Sequence, residues 1–142
     1  CNDDVFVDKL SASATEVQMN SAGDSAVVTL STKDWYIASI KKTKEQNSEN
    51  YPVTIFDENG KMTGMESFLY IEGNAKLVFS NPYNGFTIER KDNTLKIKVE
   101  RNRTSKDFLF TVFLANSYGY LPVSVTQLPS TDEASSGKDF TK

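Results

Sequence analysis

The sequence contains no histidine, and its single cysteine is residue 1. Without histidine it lacks the commonest general base and the commonest zinc ligand. With only one thiol it can form neither an internal disulfide nor a Cys/His metal site or Cys–His nucleophile. A basic excess is also missing. The net charge is −3 and the pI about 5.0, which speaks against nucleic acid as a partner, since phosphates call for a clustered basic surface. No apolar run approaches the ~18 residues that cross a bilayer as a helix. No G-x-S-x-G and no glycine-rich phosphate loop occur.

What is present is alternation. In TLKIKVE, Leu95, Ile97 and Val99 share one face, and Lys96, Lys98 and Glu100 the other. That is the signature of a half-buried strand, because successive strand side chains point to opposite faces. In FLFTVFLA, Phe108, Phe110, Val112 and Leu114 form one face, while Leu109, Thr111 and Phe113 form the other, so this strand is expected to be covered on both sides. LPVSVTQL alternates again, with Pro122 suited to an early or edge position because it lacks an N–H.

Turn residues punctuate these runs. NSAGDS joins TEVQMN to AVVTLS, KDN separates FTIER from TLKIKVE, and Gly119 lies between the last two strands. DENGK contains Asn-Gly, a strong hairpin signal, between YPVTIF and a run reaching SFLYIEG. About eight short strands, within a range of about 7–9, punctuated in this way predict an all-β sandwich. The polar segment Lys41–Pro52 reads as an exposed loop. Residues 129–142 have little to bury and read as a tail.

Candidate chemical sites mostly fail on spacing. DENG approaches a calcium loop with Asp57, Asn59 and Glu66, but the first ligand position falls on Ile55, and the hairpin reading wins. The acid pairs Asp3–Asp4, Asp57–Glu58 and Asp132–Glu133 are neighbours on an extended chain, so their carboxyls diverge and cannot face each other across a cleft. No metal or cofactor is expected. Lys96, Lys98, Arg101, Arg103 and Lys106 are interleaved with acids and read as a solvated strand face. Trp35 alternates with Tyr36 and reads as core. Tyr51, Tyr83, Tyr118 and Tyr120 sit beside turn residues and are the candidate ligand contacts; packing of loops over the sandwich ends is the competing explanation.

Two blocks carry a resemblance. SASATEVQMNSAGDSAVVTLSTKDWYIASI is similar to the first half of a BACON domain. GFTIERKDNTLKIKVERNRTSKDFLFTVFLANSYGYLPVSVTQLP is similar to the second, with Phe86 and Ile88 in a core strand, Asn102 with Thr104 and Ser105 in the following turn, and VSVTQ as closing strand. The resemblance implies an immunoglobulin-like β-sandwich over residues 10–128, found in secreted and surface proteins of Bacteroidetes and proposed to bind carbohydrate or mucin. Residues 41–84 are an insertion relative to that pattern, expected to add a hairpin (Tyr51–Phe56 with Ser67–Ile71) and to be the place for function. Trp35 and Phe86 are expected core anchors.

The opening CNDD resembles the start of a lipoprotein after signal removal, with Cys1 as lipid attachment and Asp3 and Asp4 as the acidic signal that sends lipoproteins of this phylum to the outer face of the outer membrane. Residues 1–9 then form a leash. Asp24-Ser25-Ala26 resembles an O-glycosylation acceptor at Ser25, in a predicted turn. The expected function is a non-enzymatic, lipid-anchored surface module that binds glycan or a protein partner. The alternative is a structural or accessory subunit of an outer-membrane assembly.

Overall fold

A computed structural model describes residues 10–66 and 69–130, and within them ten strands and no helix. In chain order these are β1 (Glu16–Met19), β2 (Asp24–Thr29), β3 (Tyr36–Lys41), β4 (Val53–Asp57), β5 (Met62–Glu66), β6 (Ala75–Ser80), β7 (Gly85–Lys91), β8 (Thr94–Val99), β9 (Phe108–Asn116) and β10 (Gly119–Gln127). They form a four-stranded sheet, β1-β10-β9-β3, and a six-stranded sheet, β2-β8-β7-β6-β4-β5. All pairings are antiparallel except β1 with β10. The protein is an immunoglobulin-like β-sandwich, as the sequence led us to expect.

The core lies between the sheets and is built from the expected alternation. Leu95, Ile97 and Val99 face Phe110, Val112 and Leu114, all buried. Phe86 stacks on Phe110 with centroids 4.3 Å apart, and Phe79 and Phe108 extend the cluster. Burying such side chains stabilises by about 1.5–3 kcal/mol each, which is what holds two otherwise open sheets together. Trp35 is also buried, as expected. Its Nε1 donates to Asp92 O in the β7–β8 turn, at 3.0 Å.

This contact fixes the ends of the sandwich. The start of β3, the β7–β8 turn and the β9–β10 turn share the Trp35 end. The start of β7, Tyr83 and residues 100–107 make the opposite end, where Arg103 N donates to Tyr83 O and Gln127 Nε2 to Glu100 O.

The insertion departs from expectation in detail. A hairpin turns at Gly60 (φ 85°), and its second arm is β5 at Met62–Glu66; of the expected arm Ser67–Ile71, Ser67 and Phe68 lie outside the described residues. Of the latter segment, Ile71 makes only an isolated bridge to Ile37. β5 has no apolar alternation, because both its faces are largely exposed at the sheet edge. β6 was not expected and brings the count to ten; its Ala75–Leu77–Phe79 alternation is legible once the segment is not assumed to be loop. Ser25 is exposed, as an acceptor must be, but it stands in β2 opposite Lys98 rather than in a turn.

Candidate ligand groove

The side chains of β9 that do not enter the core lie on the outer face of the four-stranded sheet. Register sets them in rows: Tyr36, Ala115 and Tyr120; then Ser39, Phe113 and Pro122; then Lys41, Thr111, Ser124 and Glu16. Thr111, Phe113 and Ser124 are nonetheless buried. Their cover is the 42–50 loop. It leaves β3 at one edge of the sheet, and Lys44 Nζ reaches Glu16 Oε2 on β1 at the other, 3.3 Å away. The loop is braced by Lys42 N donating to Glu49 O (2.9 Å), by the Lys42–Glu49 ion pair (3.2 Å) and by Lys41 bridging to Asn50. It is the exposed polar segment that composition announced, but it does not project into solvent. It arches over the sheet and makes β9 covered on both faces, as its sequence indicated.

An open groove of about 260 Å³ is left beside this arch. Ala38, Ser39 and Phe113 contribute from the sheet, Gln46 and Asn50 from the loop, and Tyr120, Lys41 and Leu69 line the remainder. Asn50 Oδ1 is shielded yet has no hydrogen-bond partner among the described residues, an unusual state for a buried acceptor. Tyr120 is 63 % exposed. Tyr36, in the same row, packs on the exposed Tyr70 with centroids 4.5 Å apart. The Tyr70 hydroxyl donates to Glu72 Oε2 at 2.8 Å, and that bond raises the Tyr70 pKa above its ordinary value. Aromatic faces beside a few amide and amine groups are the usual make-up of a site that holds a small polar ligand by its apolar face.

The four tyrosines singled out in the sequence do not share a surface. Tyr118 and Tyr120 flank the β9–β10 turn at Gly119 and are both exposed. Tyr83 is exposed at the opposite end, beside Arg101 and Arg103. Tyr51 is a correction: it is buried, with its ring edge-on to Phe86 and its hydroxyl donating to Leu109 O at 3.0 Å. Desolvation pushes its pKa up to about 12, and it is not available to a ligand. Tyr36, Tyr70, Phe113 and Asn50 were missed. Phe113 had a signal, an apolar residue on the non-core face of β9. Tyr70 had none, since only the fold brings it to Tyr36. Cys1, Asp3 and Asp4 lie outside the described residues. Among the described residues no group of acids forms a metal cluster.

Other hollows are less suggestive. The larger one, about 450 Å³ on the outer face of the six-stranded sheet, sets Lys76, Lys96 and Lys98 around Glu89 with Phe56 as its only aromatic.

The fold and the groove define an immunoglobulin-like β-sandwich with an elaborated outer face. The structure is similar to the NMR structure of a protein from Bacteroides thetaiotaomicron, at 18% identity over 91% of this chain and 94% of that one, with a TM-score of 0.53. It also matches a structure of titin domain M7, at 11% identity over 84% of this chain and 92% of that one, with a TM-score of 0.38. The Bacteroides likeness is one of fold. No protein-family model matches the chain, and no curated protein matches it.

Proposed function

We propose that this protein is a non-enzymatic cell-surface module that binds glycan in the groove between the 42–50 arch and Tyr120. The observation that carries this reading is the groove itself: an exposed tyrosine rim over a Phe113 floor, with Lys41 and Gln46 beside it. A sugar ring offers an apolar C–H face to Tyr120, while Lys41 and Gln46 supply donors to its oxygens. The resemblance to BACON domains supports the same ligand class, and the non-enzymatic reading follows from a sequence without histidine, G-x-S-x-G or a glycine-rich phosphate loop. The surface setting is part of the same proposal and rests on the resemblance to BACON domains, which occur in secreted and surface proteins. Asp24-Ser25-Ala26 remains a candidate for O-glycosylation, since Ser25 is exposed.

A glycan array that includes mucin O-glycans tests the proposal. Binding by the parent protein, lost in Tyr120→Ala and kept in Tyr83→Ala, supports it. A silent array, or binding untouched by Tyr120→Ala, overturns it. Co-purification of a second envelope protein whose retention needs Tyr120 favours instead an accessory subunit of an outer-membrane assembly.

A further inference from the structure

Among the described residues the two sheets have four edges: β1 and β3 in one, β2 and β5 in the other. Three of them are shortened, or occupied over part of their length. β3 is bridged by Ile71 at one end and by Asn50 at the other. The chain just after β2 is bridged by Ala12, and Ser13 N donates to Thr29 O. β1 is only four residues long. Among the described residues β5 has no such cover. A strand edge with unpaired N–H and C=O groups is a template for another strand, and proteins ordinarily block it with proline, inward charges or a covering loop. β5, reading Met-Thr-Gly-Met-Glu, carries no proline, and Met62 and Met65 are 60% and 71% exposed.

The sequence of this edge is self-complementary. Lys61 precedes Met62, and Glu66 follows Met65. An irregularity in the β4–β5 pairing sets Phe56 opposite Met62 and Thr54 opposite Met65, so both methionines lie on the outer face. A regular strand turns residues three apart to opposite faces and could not pair Met62 with Met65 of a like strand. With the bulge it can.

We propose that β5 is a self-association edge. Two copies pair antiparallel through β5 about a twofold axis between Thr63 and Gly64. This sets Lys61 opposite Glu66 of the second copy, Met62 opposite Met65, and Thr63 opposite Gly64, each pair made twice. The arrangement is isologous and closes at two, joining the six-stranded sheets edge to edge. The occupant is a second copy rather than an unrelated strand because both charges and both methionines find their complements in the same sequence read backwards.

Analytical ultracentrifugation of the full chain tests this. The parent protein is expected to be a dimer in equilibrium with monomer at high micromolar concentration. Lys61→Glu and Glu66→Lys each place like charges opposite one another at both ends of the edge, and each is expected to weaken association by roughly tenfold. Mixing the two variants restores it. One copy then carries acids at both ends of the edge and the other carries lysines at both ends, so opposite charges meet again. Both positions are exposed, and circular dichroism checks that the variants remain folded. A parent protein that stays monomeric overturns the proposal. So does a dimer indifferent to either variant, or a mixture that associates no better than its components.

Discussion

The Arg90 guanidinium lies over the ring of Trp35, 4.3 Å from its centroid, and its Nη2 donates to the backbone carbonyls of Lys33 and Trp35 at 2.9 and 2.8 Å. Nη1 donates to Asn74 Oδ1 at 3.2 Å. Arg90 is therefore a buried cation that closes the Trp35 end by holding carbonyls of the β2–β3 connection. Desolvation lowers its pKa, opposed by the charges of Asp92 and Glu72. Arg90→Met keeps much of the volume but leaves those carbonyls without a donor, and is expected to destabilise by about 1–3 kcal/mol in urea unfolding. Arg90→Lys should not restore the loss, since an ammonium cannot both stack on Trp35 and fork to two carbonyls. A midpoint unchanged in Arg90→Met would show that the bonds contribute nothing net.

Tyr51 should make stability fall at alkaline pH. Its folded pKa of about 12 exceeds the ordinary 10.0, so between these values the unfolded chain loses the phenolic proton while the folded chain keeps it. The folded state then binds more protons, and stability decreases as pH rises through that window. Thermal unfolding followed from roughly pH 9 to 11, across the ordinary tyrosine titration, should show a steeper decline in the parent protein than in Tyr51→Phe. Equal slopes would remove Tyr51 as the cause.

Asn102 is fully buried, and both ends of its amide are used. Nδ2 donates to Lys106 O and Leu128 O, and Oδ1 accepts from Thr104 N and Thr104 Oγ1. Asn102→Asp replaces the donor with a carboxylate oxygen facing two carbonyls. A loss of about 2–4 kcal/mol at neutral pH is expected, by comparison of chemical denaturation curves. A loss below about 0.5 kcal/mol, the range of an ordinary surface change, would contradict the buried network.

Gly85 opens β7 where the chain passes close to the end of β6. A Cβ added there meets Phe79 O at 2.8 Å, and both are backbone-fixed. Gly85→Ala is expected to destabilise by about 1–3 kcal/mol through forced displacement of that strand pair. Gly60→Ala, with nothing near the added Cβ, should suffer only from its positive φ. The order of the two melting temperatures decides whether crowding at Gly85 is real.

Tyr120→Ala should leave stability within about 0.5 kcal/mol of the parent, because its ring is mostly in solvent. Any loss of glycan retention in this variant is then a loss of contact and not of fold, which a melting curve on the same sample verifies.

The local pattern determined the larger part of the architecture. Period-two alternation in TLKIKVE and FLFTVFLA fixes which side chains enter the core, and Trp35 and Phe86 follow from it, because a strand's faces are set by its own covalent geometry. β5 escaped because an edge strand exposed on both faces has no pattern to show. Tertiary structure alone decided the fate of the tyrosines. Tyr51 and Tyr120 look alike in sequence, each beside a turn residue. Yet Tyr51 is drawn inward to Leu109, 58 residues away, while Tyr120 rims a groove. Pairing between distant strands places the 42–50 arch over one face of β9, and no short window of sequence contains that distance. Composition ruled out histidine chemistry and an internal disulfide; only packing could say which aromatic rings remain free to meet a ligand.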